Sequence, residues 1–241
     1  MTRLLQLSDT HLLGPGSVSP HPGIDPEARL VAVLEAARSY GPYDAVVLTG
    51  DIADDASLEA VRRVRQLVEP VAPVLLAVPG NHDDTDIVRT VFGSAPATLG
   101  KWSIRGAVTN VPGEIAGRAD DILRVLQACD GPTVMLMHHP LRSRSTHPWF
   151  TLAGADELEQ RLCEHGQPLI LLSGHLHEAF EDSIGDVRLY GGPATFYGIA
   201  HDGEGWTPHG APTGALVIDL GDNNSDSNSD SGTSTTHLVR A

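Results

Sequence analysis

The chain has 241 residues, of which 41% are hydrophobic and 20% charged, so it is long enough to bury the core of one large domain. It carries 31 acidic residues against 16 Lys and Arg, and the resulting net charge of −15 argues against a nucleic-acid scaffold. A small anionic substrate remains compatible with this charge, because bound divalent cations would reverse the local field.

The sequence also predicts where the protein resides. Met1 to Leu7 is too short for the apolar core of a signal peptide, and no run reaches transmembrane length. The two cysteines, Cys129 and Cys163, each fall in a predicted amphipathic helix, which favours buried thiols in a reducing compartment over a disulfide framework. We therefore expect a cytoplasmic protein without a membrane partner. No pattern indicates an oligomeric state.

In the first part of the chain, apolar runs of strand length alternate with segments of helical periodicity. The predicted strands are Leu4–Leu7, Ala45–Leu48 and Val74–Val78. The predicted helices are Glu27–Ser39, Leu58–Val68 and Asp84–Phe92. A loop rich in Gly and Pro connects the first strand to the first helix over residues 14–26.

The alternation resumes after residues 93–117, where only one strand is indicated, around Trp102 to Ile104. Two further strands, Thr133–Met137 and Leu169–Leu172, alternate with the helices Asp120–Ala128 and Asp156–Cys163. From Ala179 onward, short strands and turns replace the helices. The strands predicted there, which could pair as a second sheet, are Asp186–Tyr190, Thr195–Ile199 and Ala215–Leu220.

The end of the chain has a different composition. Residues 221–236 contain only Asn, Ser, Asp, Gly and Thr, which cannot bury apolar area, so a flexible loop or tail is predicted there. Residues 237–241 can return as a terminal strand. The predicted organisation is one domain over residues 1–220 followed by these two short segments.

Strand and helix alternation followed by a β-rich region predicts an α/β fold with helices outside packed sheets. Ligands of such folds bind beyond the carboxyl ends of the strands. Polar motifs occur at those positions in this chain. They are Asp9-Thr10-His11, Gly50-Asp51, Gly80-Asn81-His82-Asp83, His138-His139-Pro140 and Gly174-His175-Leu176-His177.

The motifs share the donor groups that hold transition-metal ions. Asp9 and His11 are two residues apart, as are His175 and His177, so along an extended or turning segment each pair can face one ion. Asp51 has two carboxylate oxygens and can bridge two ions. Carboxylates, an amide oxygen and imidazoles together predict a pair of transition-metal ions, and hence a metal-dependent hydrolase.

In this order the motifs resemble the pattern D-x-H, G-D, G-N-H-D/E, H-x-P and G-H-x-H of the calcineurin-like metallophosphoesterase family. The resemblance extends from Asp9 to His177. It implies a four-layer αββα sandwich, in which two mixed β-sheets are flanked by helices. Glycines beside two of the motif ligands, Gly50 and Gly174, permit a close backbone approach or a positive φ.

The resemblance also implies roles for individual residues. One ion would be bound by Asp9, His11, Asp51 and His177, and the second by Asp51, Asn81, His138 and His175. His82 matches the family's general acid for the leaving group, and Asp54 matches the acid that orients it. His139 would then lie near the pocket without being a ligand. Oxygen and nitrogen donors without cysteine suit two divalent or trivalent ions of Fe, Mn, Zn or Co.

Within the family, the motifs most resemble those of bacterial 3′,5′-cyclic nucleotide phosphodiesterases. We therefore expect a phosphodiesterase acting on a small phosphoester. The alternatives are a phosphomonoesterase or glycerophosphodiesterase of the same family, and a non-catalytic interaction module on this fold. The segment between His82 and His138 is shorter than usual and lacks an L-D-T or L-D-S strand end. This difference predicts that an edge strand or part of the substrate rim is missing.

Other polar and aromatic residues have a structural explanation beside the functional one. Asp83, Asp84 and Asp86 are predicted as first-turn acids of the next helix rather than ligands. Arg142 and Arg144 are predicted on a solvated loop. Histidines without ligand spacing are predicted on the surface or in loops: His21, His147, His165, His201, His209 and His237. The aromatic residues that either form a base- or lipid-binding rim or pack in the core are Trp149, Phe150, Phe196, Tyr197 and Trp206.

Overall fold

The computed structural model describes residues 1–221 and 234–241, which form fifteen strands and five α-helices. The strands are β1 Thr2–Leu7, β2 Ala45–Thr49, β3 Val74–Val78, β4 Ala97–Leu99, β5 Trp102–Gly106, β6 Gly117–Arg118, β7 Thr133–Leu136, β8 Leu152–Ala153, β9 Leu169–Ser173, β10 Phe180–Ile184, β11 Val187–Gly191, β12 Ile199–Asp202, β13 Gly205–Pro208, β14 Gly214–Leu220 and β15 Ser234–Arg240. The helices are α1 Pro26–Ala37, α2 Leu58–Val68, α3 Thr85–Phe92, α4 Asp120–Leu126 and α5 Ala155–Cys163. Short 3₁₀ helices cover Arg38–Tyr40 and Pro148–Phe150.

Two mixed sheets form the centre of the fold. The first has the order β15-β14-β1-β2-β3, with β1, β2 and β3 parallel and β14 antiparallel to β1. The second has the order β10-β11-β9-β7-β5-β4, parallel except at its two edge strands. The parallel strands of each sheet end at a common edge, so residues that follow them meet there.

Alternate residues of the central strands point to opposite faces and build separate layers of core. In β1, Leu5 packs toward α1 and α2, whereas Leu4 packs between the two sheets. A third cluster, which includes Leu158 and Leu171, lies between the second sheet and helices α4 and α5. Three layers of core separate four layers of structure, which confirms the predicted αββα sandwich. Burial on both faces explains why these strands are continuous apolar runs.

Side-chain caps fix where two of the predicted helices begin. Asp25 accepts hydrogen bonds from two backbone amides of α1, and Pro26 occupies the first helical position, where its missing N–H costs nothing. Asp84 caps α3 in the same way, with the acidic Asp86 in the first turn. The predicted helix starts therefore agree with the structure to within a residue or two.

The strands of the β-rich end do not pair with one another as one second sheet; only β12 and β13 form a two-stranded sheet of their own. Strands β10 and β11 extend the second sheet, and β14 and β15 extend the first. The predicted strand Thr195–Ile199 is wrong, because only Ile199 is in a strand. The preceding residues instead cross the strand ends, where Thr195 donates its backbone N–H to the Ser8 carbonyl at 3.0 Å.

The structure describes only part of the predicted low-complexity segment at the chain end. Residues 222–233 of the predicted low-complexity segment lie outside the described residues, while its last three residues belong to β15 and thereby lengthen the predicted terminal strand.

Cys129 lies beyond the end of α4 and is half-buried, and Cys163 ends α5 but is exposed. The prediction of two buried thiols is therefore wrong, because α5 turns Leu158 and Leu162 inward instead. None of the described helices is both long and apolar enough to cross a membrane.

Candidate metal centre

The predicted metal-binding motifs meet at one edge of the sandwich. Three of them follow β1, β2 and β3 of the first sheet, and two follow β7 and β9 of the second. The two sheets thus each contribute donors from the carboxyl ends of parallel strands, where α/β folds place their ligands.

The backbone at these motifs is left-handed. Asp9, His11, Asp51, His175 and His177 have φ angles of 52°, 47°, 49°, 69° and 52°. Non-glycine residues in this region cost of order 1–3 kcal/mol each and persist only where neighbouring structure holds them. Here backbone hydrogen bonds between motifs hold two of them, from the Asp9 N–H to the Gly50 carbonyl and from the His11 N–H to the Asp51 carbonyl, both at 3.0 Å.

The four side chains predicted for the first ion lie together and are buried. Donor atoms of Asp9, His11, Asp51 and His177 all lie within 4.8 Å of one another. The two imidazoles approach through Nε2, at 3.2 Å. His177 Nε2 lies 3.3 Å from Asp9 Oδ1, and His11 Nε2 lies 3.7 Å from Asp51 Oδ2.

The residues predicted for the second ion adjoin the first group through Asp51. His138 Nε2 lies 3.4 Å from Asp51 Oδ2 and 3.1 Å from Asn81 Oδ1. The rings of His138 and His175 are 5.0 Å apart between centroids. The same carboxylate oxygen of Asp51 therefore faces a histidine of each group.

Each of the four predicted ligand histidines has its outward nitrogen held by the protein. The contacts are His11 Nδ1 to Asp54 Oδ1 at 2.9 Å, His138 Nδ1 to the Thr49 carbonyl at 2.8 Å, His175 Nε2 to the Trp149 carbonyl at 2.8 Å and His177 Nδ1 to the Tyr197 carbonyl at 2.7 Å. Because these oxygens accept, the outward nitrogen carries a proton and the inward one faces the other donors. This second contact is a regular feature of metal-binding histidines, so the donor set fits transition-metal ions. At His138 the inward nitrogen shares a further proton with Asp51, which a bound cation would replace.

One ring nitrogen from each of His138, His139 and His175 also lies within 4.8 Å of the others, but both nitrogens of His139 are hydrogen-bonded within the protein. Its Nδ1 is 2.8 Å from Thr109 Oγ1, and its Nε2 is 2.8 Å from the Ile115 carbonyl. Burial, followed by the nearby His175 and His138, holds the pKa of His139 well below its ordinary value. A neutral ring with both nitrogens engaged packs the site without joining the donor set.

Electrostatic coupling keeps the carboxylates ionised despite their burial. Burial would raise the pKa of Asp51, but the neighbouring His138 outweighs it and sets that pKa well below its usual range. Burial would lower the pKa of His138, but Asp51 raises it to about 9. Burial and the adjacent His138 lower the pKa of His175 to about 4. The site therefore has negative charge ready for a cation, which would replace the proton that His138 and Asp51 hold between them.

His82 and Asp54, the predicted acid and its partner, lie beside the first group. Asp54 Oδ1 is 3.3 Å from His82 Nδ1, and the Asp54 carbonyl is 3.2 Å from the same nitrogen. Burial would lower the pKa of His82, but the hydrogen bond to Asp54 and the charge of Asp51 raise it to about 10. The imidazole is 41% exposed, so it reaches the cavity described below.

Asp83 has a role that the sequence analysis missed. It is buried rather than on the first turn of α3, and its carboxylate accepts hydrogen bonds from the backbone amides of Ile52, Ala53 and Gly80. It thus ties the turn after β2 to the turn after β3, which present Asp51 and Asn81. Its place in the Gly-Asn-His-Asp motif was the available signal, but proximity to α3 suggested a helix-terminal role.

Two glycines are required by close packing at the site. Gly50 has a φ of 91°, and a Cβ there would lie 2.3 Å from His138 Nδ1. A Cβ on Gly174 would lie 2.0 Å from Ser8 Oγ. Both positions thus have the close approach expected from the sequence.

A cavity of about 130 Å³ opens above these donors. One side of it is an aromatic wall, formed by Trp149, Phe150, Tyr197 and Trp206. Of the five aromatic residues left open between a rim and the core, only Phe196 is absent from this lining, and it is fully buried.

The charged and imidazole side chains outside the donor set have other partners. Arg142 pairs with Glu159 and Asp182, and Arg144 lies 3.8 Å from Glu178, so neither lines the cavity. Two of the histidines predicted on the surface or in loops are half-buried beside the aromatic wall. His21 stacks on Tyr197 at 4.1 Å between centroids, and His201 meets Phe150 at 4.7 Å.

Comparisons with known proteins agree with this geometry. A family model for calcineurin-like phosphoesterases matches residues 2–179. The 3′,5′-cyclic adenosine monophosphate phosphodiesterase CpdA of Pseudomonas aeruginosa is 31% identical over 208 residues, which cover 80% of this chain and 75% of that protein. A cAMP/cGMP dual specificity phosphodiesterase of Mycobacterium tuberculosis is 32% identical over 215 residues, covering 80% and 67%. The fold is shared with a dimetal phosphatase from Danio rerio, at a TM-score of 0.64 and 12% identity over 90% of this chain and 92% of that one.

Proposed function

The chain belongs to the calcineurin-like phosphoesterase family and is thus a phosphoester hydrolase, and we propose that it uses two transition-metal ions to cleave a 3′,5′-cyclic nucleotide. The observation that carries this proposal is the double donor set around Asp51, in which every predicted ligand histidine has one nitrogen held by the protein and turns the other toward the donor set. An interaction module has no need of such a set, so hydrolysis accounts for the site better.

Seven side chains would hold the two ions. The first ion would take Asp9, His11, Asp51 and His177, and the second Asp51, Asn81, His138 and His175. Iron, manganese, zinc and cobalt all suit these oxygen and nitrogen donors. When bound, a pair of such ions polarises a phosphoryl group and supplies a water of lowered pKa as nucleophile.

We propose that His82 is the general acid that protonates the leaving oxygen. Asp54 holds its Nδ1, so Nε2 is the atom that can donate a proton to the departing alkoxide. The backbone N–H of His82 donates to Asp51 Oδ1 at 2.9 Å, which fixes the imidazole relative to the carboxylate assigned to both ions. Asp54 also holds His11 Nδ1, so one carboxylate positions the acid and a ligand together.

The cavity lining supports a small substrate that has one phosphodiester group and is otherwise uncharged. Its lining residues, all of them in the described part of the chain, include no Lys or Arg. Apart from His82 and the two proposed ions, a second phosphate or a polynucleotide would meet no countercharge there, and the net charge of −15 opposes both. A cyclic nucleotide has one phosphodiester charge and an uncharged base that suits an aromatic wall. We accordingly propose neither a nucleic-acid nor a membrane partner, and a cytoplasmic location.

The relatives support the same substrate class. The two named above, from Pseudomonas aeruginosa and Mycobacterium tuberculosis, are named for cAMP or for cAMP and cGMP, and each aligns with 80% of this chain. At about 30% identity the relatives support a cyclic nucleotide as the substrate class without specifying which base this chain prefers.

Parallel hydrolysis assays test the proposal. The protein is treated with a chelator, Mn²⁺ is restored, and turnover of 3′,5′-cyclic AMP, bis(p-nitrophenyl) phosphate and p-nitrophenyl phosphate is measured. We expect metal-dependent turnover of the first two. Turnover of the monoester alone would indicate a phosphomonoesterase, and turnover of the diester alone another substrate such as a glycerophosphodiester. No turnover with metal bound would instead support an interaction module.

A further inference from the structure

We propose that Trp149 is the platform on which the aromatic base of the substrate stacks, with Trp206 supporting it from behind. The inference rests on the proposed function, since it names the part of a nucleotide that the aromatic wall recognises. It starts from a contrast among the three tryptophans. Trp102 is fully buried in the core, whereas Trp206 is half-buried and Trp149 is 44% exposed at the cavity.

The two cavity tryptophans come from distant segments that are fastened to each other. Trp149 lies in the 3₁₀ helix Pro148–Phe150, and Trp206 lies in β13. The Thr146 N–H donates to the Gly203 carbonyl at 3.0 Å, and the Ser145 hydroxyl donates to the same carbonyl at 3.1 Å. These bonds join the loop before Trp149 to the β12–β13 turn, so the two rings keep a fixed relation.

Two rings contact Trp149 but leave 44% of it exposed, and one of them, His147, meets it edge-on at 5.0 Å between centroids. The rings of Trp149 and Trp206 are 6.0 Å apart between centroids with a tilt of 44°, too close for a base to enter between them. Phe150 lies 6.3 Å from Trp206 on the buried side. Trp206 thus packs against Trp149, buried Phe150 packs in turn against Trp206, and the partly exposed Trp149 lines the cavity.

The platform has a fixed position relative to the predicted metal ligands. His175 Nε2 donates to the carbonyl of Trp149 at 2.8 Å, so the residue that would carry the base is bonded to a residue that would hold an ion. A phosphoryl group at the donor set and a base on Trp149 would be adjacent parts of one small molecule. Since the lining includes no Lys or Arg, stacking is the interaction that this wall can offer an uncharged heterocycle.

A binding comparison isolates the base from the phosphate. Affinities of the metal-loaded protein for adenosine 5′-monophosphate and ribose 5-phosphate are measured by calorimetry, with Trp149→Ala, Trp149→Phe and Trp206→Ala as variants. Tyr40→Ala is the matched control, because Tyr40 is also an exposed aromatic residue but lies beside Arg3 at the start of β1, away from the cavity.

We expect the wild-type protein to bind the nucleotide roughly tenfold more tightly than the base-free sugar phosphate. This preference should vanish in Trp149→Ala, fall in Trp206→Ala, and persist in Trp149→Phe and in the Tyr40 control. Affinity for ribose 5-phosphate should stay the same in all variants, because the Trp149 carbonyl that holds His175 is retained.

Three results would overturn the inference. One is a wild-type protein without preference for the nucleotide, and another is a preference that survives Trp149→Ala. The third is an equal loss for both ligands, which would show that Trp149 only positions His175. Failure of the proposed function is recognised separately, by wild-type protein that binds the nucleotide through Trp149 but does not hydrolyse 3′,5′-cyclic AMP.

Discussion

The two sides of the cavity are built in different ways. The metal side consists of short motifs that each follow a strand, and every donor is positioned by contacts at the ends of those strands. The aromatic wall joins a loop after β7 to the hairpin β12–β13 through bonds between residues more than fifty positions apart. Both sides are fastened by long-range contacts, but the donors of the metal side belong to short motifs that can be recognised in the sequence, whereas the residues of the wall share no local pattern. Substitutions on the metal side should therefore affect every substrate, and substitutions in the wall should discriminate among substrates.

The largest effect is expected on the metal side, at Asp51. Asp51→Asn should abolish turnover of every substrate and release at least one ion, because a neutral amide cannot replace a carboxylate that faces both histidine groups. Metal content after gel filtration and hydrolysis rates measure this. Asp55→Asn is the matched control, since Asp55 is an exposed neighbour that caps the turn at Ser57. Full activity with two ions in Asp51→Asn would refute the bridging role.

Replacing the adjacent histidines His138 and His139 one at a time distinguishes a metal ligand from a residue that only packs beside the site. His138→Ala should lose about one ion and more activity than the roughly 10–100-fold typical of residues that only orient a ligand. His139→Ala should keep both ions, because both of its nitrogens already bond to Thr109 and Ile115. It should lower the free energy of unfolding by about 1–3 kcal/mol through the buried groups left unpaired. Metal analysis and urea unfolding distinguish the pair, and metal loss in the His139 variant would contradict the assignment.

A smaller and selective effect is expected at His82. His82→Ala should retain both ions and slow 3′,5′-cyclic AMP hydrolysis by about 10²–10⁴-fold, because an alkoxide leaving group needs a proton. Esters of p-nitrophenol should be slowed much less, since p-nitrophenolate leaves without one. Steady-state rates on both substrates are compared with those of His237→Ala, an exposed histidine on β15. An equal loss on both substrates would remove His82 from the acid role.

The metal side could be predicted from the sequence because its signals are local. Residues such as Asp9 and His11 follow an apolar run directly, so their place at a strand end follows from the run itself. Their left-handed backbone could not be inferred, because it depends on hydrogen bonds from the neighbouring strand turn. The buried role of Asp83 was missed for the same reason, since its partners lie in the turn after β2.

The aromatic wall shows where sequence patterns stop being informative. Trp149 and Trp206 carry no periodicity that distinguishes a rim from a core, and their pairing depends on the bridge between Ser145 and Gly203. The predicted strand over Thr195–Ile199 failed similarly, because Phe196 and Tyr197 pack beside His11 and only Ile199 joins a strand. The sequence identified these residues as aromatic or apolar, but it could not identify the residues that they contact. Those contacts join distant segments, which a single sequence does not reveal.

The smallest effect is expected for the low-complexity residues 222–233. Replacing residues 222–233 with a short Gly-Ser linker should leave kcat unchanged and alter stability by no more than about 0.5 kcal/mol. The flanking residues Leu220 and Ser234 pair with each other, and Leu220 pairs with Thr2 at the opposite end of β1 from Asp9. Rates and thermal unfolding of the two proteins provide the measurement. A large loss of kcat would show that this segment contributes to catalysis.

The central claim is that two ions at one shared carboxylate perform the reaction. It is tested most directly by titrating the metal-free protein with Mn²⁺ while the rate of 3′,5′-cyclic AMP hydrolysis is followed. We predict that activity rises to a plateau at two equivalents of metal per chain. A plateau at one equivalent, or hydrolysis that proceeds at full rate before metal is added, would contradict the account.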